Sequence, residues 1–153
     1  MSQEPTIRPA RPGDLPTLVA LIRALAAHHG DDAPLGLAAA RRLFCDSGAP
    51  ATALLAARPI KDDVVGYAAL LDLPDLRDGS LRMLIDHLYV VPEARGHGIG
   101  TALVRAAADI AREKGATRLR IGTDPDNPAA ARAYRAMGFV ELPLPGPAFL
   151  VPL

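Results

Sequence analysis

The stretch from Met83 to Lys114 constrains this chain more than any other. Met83 to Val91 is rich in branched and aromatic residues, which predicts a strand, and Pro92 ends it. Ile99 to Lys114 places Ile99, Leu103, Ala107, Ile110 and Ala111 on one helical face and is stopped by Gly115. Between them lies Arg95-Gly96-His97-Gly98-Ile99-Gly100. Three glycines in alternate positions let the backbone turn its N–H groups toward one point, because no Cβ blocks close approach. The helix that begins there adds the positive end of its dipole. That turn suits a pyrophosphate, with Arg95 adding charge, although a packing turn without a ligand is equally compatible with the turn taken alone.

The rest of the chain supplies the frame for that unit. Thr6 to Ala10 predicts a short edge strand, since Pro9 cannot donate to a ladder. Asp14 is the expected N-cap of a helix carrying Leu18, Leu21, Ile22 and Leu25 toward the core, and a poorer helix is expected over residues 37–44. Residues 51–57 and 64–71 predict two strands joined by the turn Lys61-Asp62-Asp63, and 73–79 is loop-like. Arg118 to Ile121 alternates as a half-buried strand, and Asn127-Pro128 opens a last helix ending at Gly138. Residues 139–142 and 149–151 are expected to close the sheet around a proline-rich turn. With no internal repeat or linker, 1–153 is expected to be one α/β domain in which residues 1–5 are flexible.

Composition narrows the function. A chain of 153 residues, half of them hydrophobic, can bury roughly two-thirds of its unfolded surface and form a core. Seventeen basic residues balance seventeen acidic ones, which gives no support to a nucleic-acid partner. The single Cys45 closes no intrachain disulfide and belongs to no metal-ligand cluster, which suits a cytoplasmic location. No apolar run approaches the roughly 20 residues of a membrane-spanning helix, so no membrane partner is expected.

Two phosphate-binding loops fit poorly. A P-loop ends in Gly-Lys-Ser/Thr, whereas Gly100 is followed by Thr101-Ala102. The dinucleotide fingerprint counted from Gly96 and Gly98 meets Thr101 at its third glycine, and lies too late in the chain. Arg95-x-x-Gly98-x-Gly100 instead resembles the acyl-CoA pyrophosphate loop of the GCN5-related N-acetyltransferase superfamily. Leu88-Tyr89-Val90-Val91-Pro92-Glu93 is similar to that family's fourth strand, and Asn127-x-x-Ala130-x-x-x-Tyr134-x-x-x-Gly138-Phe139 to its second motif. The order of the remaining elements matches as well, so the resemblance covers nearly the whole chain.

The resemblance implies an α/β fold of α+β type. Its mixed, mostly antiparallel sheet has about six to seven strands, flanked by about four helices, with splayed central parallel strands. It implies direct transfer of an acetyl group from acetyl-CoA to a primary amine in a ternary complex, with no metal. It places the cosubstrate on Leu88, Tyr89, Val90, Arg95, Gly96, His97, Gly98, Ile99, Gly100, Thr101, Asn127 and Tyr134, with Tyr134 as the acid for the departing thiolate. The alternative for Tyr134 is a core aromatic, since Ala130, Tyr134 and Met137 share a helical face. A lysine-like amine is neutral in under ~0.1 % of molecules at pH 7, so the reaction also needs a base.

Asp86 is the candidate base. Asp86-His87 resembles, in position, the Glu-Asp pair of the diamine (polyamine) acetyltransferase branch, with His87 in place of the second acid. Side chains alternate along a strand, so Asp86 and His87 cannot both face the site unless a bulge intervenes. His28, Asp86 and His87 are candidate substrate contacts, and His28-His29-Gly30-Asp31-Asp32 is expected to be a solvated loop rather than a metal site. Asp72, Asp75 and Asp78 could attract a cationic amine, though a solvated loop accounts for them better. The acceptor is left open between a small-molecule and a protein amine, a homodimer is expected, and the functional alternative is a non-catalytic acyl-CoA sensor.

Overall fold

Apolar runs over the first half of the chain build most of a sheet whose strands lie side by side in chain order. The computed structural model describes residues 4–61, 63–143 and 146–153. It contains β1 (Thr6–Pro9), α1 (Leu15–His29), α2 (Leu37–Phe44), β2 (Ala51–Arg58), β3 (Asp63–Pro74), β4 (Leu81–Val90), α3 (Ile99–Glu113), β5 (Arg118–Ile121) and α4 (Pro128–Ala136). The strands lie in the order β1-β2-β3-β4-β5. All neighbours are antiparallel except β4 and β5, which are parallel and joined through α3. The chain divides into two units, one ending at Gly122 and one from Thr123 to Leu153.

In the first unit the two faces of the sheet are covered by different helices. Leu15, Leu18, Val19, Leu21 and Ile22 of α1 pack with Ala53, Leu55, Tyr67, Ala69 and Tyr89. The alternate residues Leu54, Ala68, Leu70, Met83 and Ile85 are also buried, and α3 contributes Leu103, Val104, Ala107 and Ala111 to the core. Such two-sided burial explains why β2 and β3 read as near-continuous apolar runs rather than strict alternations.

Several local expectations change. Asp14 stands at the N-cap position of α1, as expected, but its side chain makes no cap bond to the helix; its carboxylate accepts two bonds from Arg8, at 2.7 and 2.9 Å, and one from the Arg11 N–H at 2.7 Å. A guanidinium fork outcompetes a single helix N–H for the same oxygens. His28 and His29 lie in the last turn of α1, which stops at Gly30 in the left-handed conformation, so the polar loop starts later than expected. Among the described residues the sheet has five strands, and 139–142 and 149–151 are not strands. Pro147 and Pro152 flank the second segment and cannot donate to a ladder, and Phe149, Leu150 and Val151 are exposed. Residues 1–3 of the expected flexible start, Asp62 of the expected turn, and Leu144 and Pro145 of the proline-rich turn lie outside the described residues.

Candidate active site

β4 is a strand with two halves. Its parallel ladder with β5 runs from Arg82↔Arg118 to Ile85↔Ile121 and stops there. β4 continues to Val90, still paired with β3 as far as Val90↔Gly66. Alternate residues of a strand bond to opposite neighbours. The Val91 N–H donates to Val65 O at 2.9 Å, so the N–H and C=O groups of Leu88 and Val90 point to the side where β5 has ended. The Arg95 Nε–H donates to Val90 O at 2.8 Å, and its guanidinium carbon lies 5.7 Å from the centre of the Tyr89 ring. Arg95 thus fastens the start of the glycine loop to the end of the strand, a role its sequence position did not disclose.

Gly96 and Gly98 both have positive φ, 79° and 78°, a region that side chains with a Cβ resist. Between them, His97 is tied down by Nδ1, which lies 2.8 Å from Arg95 O. Gly98 is the N-cap of α3, no side chain caps that helix, and its first turn holds no acid. The first helical bond runs from Ala102 N–H to Gly98 O, so the N–H groups of Ile99, Gly100 and Thr101 precede the ladder. Gly100 differs from the other two. It lies inside the helix, has no positive φ, and a Cβ added there would meet no atom within 4 Å. Neither backbone strain nor packing calls for glycine at 100.

A cavity of about 750 Å³ opens against the same loop, with His97, Gly98, Ile99 and Thr101 on its wall. Arg58 and Arg105 contribute positive charge to it, and Glu4, Glu93 and Asp109 negative charge. Acids outnumber bases in this lining, so it offers an anion no net attraction beyond that of the helix end. The cavity does not extend to Asp86 or His87.

The second half of the site turns on a bulge. Ala69 pairs with His87 and Leu70 with Ile85, which leaves Asp86 as an extra residue in β4. Ile85 and His87 would share a face in a regular strand; the extra residue sends them to opposite faces. His87 therefore joins Tyr67 and Tyr89 on the α1 side, with its Nδ1 2.9 Å from the Tyr67 hydroxyl and its Nε2 3.8 Å from Asp86 Oδ2. The bulge brings Asp86 and His87 together, and both side chains are partly exposed, at 50 % and 38 %. Tyr67 has no exposed surface, and its burial, with the charge of Asp86, pushes its phenol well above the usual range. Sequence reasoning missed Tyr67, because a tyrosine in an apolar strand reads as core and the bulge opposite it leaves no mark in the residues.

The other candidates occupy separate places. His28 is exposed at the end of α1 with its ring edge-on to His29, 5.5 Å between centres. Asp75 accepts from Arg77 N–H, Nε–H and Nη2–H, Asp78 from Ser80 N–H, and Asp72 from Lys114. These carboxylates shape the β3–β4 connection and tie down the end of α3, which weakens the idea that they attract an amine. In the second unit Asn127 caps α4 through Oδ1, which accepts from Ala130 N–H at 3.1 Å. Tyr134 is half-buried on the same face as Ala130 and Met137, 6.1 Å from the Phe139 ring, and burial raises its phenol above the ordinary value. Among the described residues no three of His, Cys, Asp and Glu gather as metal ligands, and no helix is long and apolar enough to cross a membrane.

The glycine turn, the strand before it and the Asn-to-Tyr segment carry the motifs by which the sequence resembles one family of acetyltransferases. Residues 21–139 match the model of the acetyltransferase (GNAT) family, and the chain belongs to it. The match crosses the boundary between the two units. The chain is 42 % identical over 77 residues to a streptothricin acetyltransferase of Streptomyces lavendulae, covering 50 % of this chain and 39 % of that one. It is 38 % identical over 96 residues to an aminoglycoside N(6′)-acetyltransferase type 1 of Klebsiella aerogenes, covering 61 % and 62 %. The chain thus spans about two fifths to three fifths of the length of these curated relatives. The crystal structure of an aminoglycoside acetyltransferase from an uncultured soil metagenomic sample has the same fold, with a TM-score of 0.80, 22 % identity and 99 % of each chain covered.

Proposed function

We propose that this chain is an acetyl-CoA-dependent N-acetyltransferase that acetylates a small-molecule primary amine by direct attack in a ternary complex, with the whole chain acting as one domain. One observation carries the reading. The N-terminus of α3 is uncapped, opened by a glycine that the fold itself does not need, and follows a strand whose outer backbone groups have lost their parallel neighbour. A diphosphate fits the N–H groups of Ile99, Gly100 and Thr101, with Gly96, His97 and Gly98 holding the turn and Arg95 bracing it. Leu88 and Val90 offer backbone bonds to the pantetheine amides beside Tyr89, and the sequence resemblance assigns Asn127 to the same arm.

When bound, the cosubstrate supplies a thioester open to an amine. The chain's own task is to move protons. Asp86 takes the proton of the acceptor ammonium, directly or through one water, so that the nitrogen lone pair is exposed. Tyr134 stays protonated because burial raises its phenol. A phenol is a weaker acid than a thiol by roughly 1.5 units, so its first contribution is a hydrogen bond to the leaving sulfur as charge grows there. His28 and His87 stand on the acceptor side in this reading. Support for a small amine comes from relatives named for streptothricin and aminoglycosides and from the partly exposed Asp86 carboxylate.

Thiol release on mixing the chain with acetyl-CoA and an amine panel tests the proposal. The panel holds aminoglycosides, streptothricin, polyamines, amino acids and peptides with free N-termini. Release that depends on a small amine is the expected outcome. CoA binding by calorimetry without release for any acceptor would favour the sensor, release with peptides alone would move the acceptor to proteins, and no CoA binding would end the reading. A cytoplasmic homodimer belongs to the same proposal, and cell fractionation and light scattering test it.

A further inference from the structure

The contact between Tyr67 and His87 has no part in the chemistry assigned so far, yet it ties a wholly buried hydroxyl to the candidate base. Resting on the reading of Asp86 as that base, we propose that Tyr67 and His87 are positioning residues that orient the Asp86 carboxylate toward the acceptor. Three observations meet here. The extra residue in β4 turns His87 onto the face that holds Tyr67. The Tyr67 hydroxyl lies 2.9 Å from His87 Nδ1. His87 Nε2 faces Asp86 Oδ2 at 3.8 Å, close enough for electrostatic attraction and too far for a strong hydrogen bond.

These distances select one tautomer. A neutral imidazole carries one hydrogen, and the carboxylate opposite Nε2 draws it there. Nδ1 is then an acceptor, and the Tyr67 O–H donates to it. The phenol can fill that role because burial among the apolar residues of α1, β2 and β3 keeps it protonated. The Tyr67 hydroxyl thereby fixes the ring through Nδ1, with Nε2 left facing the Asp86 carboxylate. In the transfer, the ammonium N–H bond breaks and an O–H bond forms on Asp86. The hydrogens on Nε2 and on the Tyr67 oxygen stay where they are. Tyr67 and His87 hold the acceptor of the proton in place and do not carry the proton themselves.

The test has two arms. Nitrogen-15 NMR of the chain alone reads the tautomer of His87 without any need for activity. The Nε2–H form is expected, and it should give way to a mixture in Tyr67→Phe; an Nδ1–H form in the native chain would overturn the proposal. The second arm is a cycle in kcat/KM. Tyr67→Phe and His87→Ala should each lower it by about 10-fold, and the double variant should be no worse than the poorer single. Losses that multiply, to about 100-fold, would show that the two residues act separately and refute the coupling. Tyr67→Phe keeps the ring that fills the core; if it nevertheless fails to fold, the native tautomer still decides. A native chain that transfers no acetyl group would remove the reading of Asp86 as base and leave the nitrogen measurement standing.

Discussion

Replacing Gly100 with alanine should make the chain more stable and a poorer binder of coenzyme A. The added Cβ has open space, the backbone there is helical, and φ is not positive. Alanine exceeds glycine by about 0.8–1.0 kcal/mol inside a helix, and somewhat less in its first turn. A gain of about 0.5–1 kcal/mol corresponds to a Tm higher by about 1–4 °C for a chain of this size. Binding should move the other way. If the methyl group holds a diphosphate off one charge-assisted N–H bond, the loss is about 1.5–3 kcal/mol, or about 10- to 150-fold in Kd. Differential scanning fluorimetry and titration calorimetry with CoA measure the two quantities on one sample. A fall in Tm would contradict the open space around Gly100. Undiminished affinity would show that the first turn of α3 is not the cradle, and the functional reading would fall with it.

Tyr134→Phe should cut kcat by at least about 10-fold while CoA affinity stays within about twofold; unchanged turnover removes the phenol from the mechanism. Asp86→Asn should abolish the acidic limb of the kcat/KM profile, and an unaltered profile excludes Asp86 as the base. Gly66→Ala would put a Cβ 2.8 Å from Tyr89 O and 3.3 Å from Val90 Cγ2, so β4 must shift at the cofactor strand. A cost of about 1–3 kcal/mol in urea melts is expected, with a raised KM for acetyl-CoA. Arg8 holds Asp14 at about 2, below the ordinary carboxylate value, so this pair stabilises the fold above pH ~4 and its contribution is lost between about pH 4 and pH 2. Asp14→Asn should cost about 1 kcal/mol at pH 7, screening by solvent included, and nothing below pH 2.

The strand, glycine turn and helix between Leu81 and Glu113 were legible because each signal is local: branched residues, alternate glycines, and a 3.6-residue repeat. Asn127 as a cap was legible for the same reason. Residues 139–142 and 149–151 were misread as strands because a short apolar run states only that a segment could pair, and pairing needs a neighbour. The N-cap position of Asp14 was legible, but the partner of its carboxylate was not, because Arg8 lies six residues back on another element. The bulge at Asp86 was beyond reach altogether. It exists only as a mismatch between two strands, visible in the pairing of Ala69 with His87 and Leu70 with Ile85, and neither strand records it alone. Tyr67 entered the site through that mismatch.

The early end of β5 links occupancy to folding. Beyond Ile121 the outer edge of β4 lacks the rung that a longer neighbour would supply. A molecule that provides this rung binds only the folded chain, so it adds to folding free energy by mass action, about 2.7 kcal/mol at a hundredfold excess over Kd. Amide protons of Leu88 and Val90 should then exchange with deuterium more slowly as ligand is added, sooner and more sharply than those in the interior of β2.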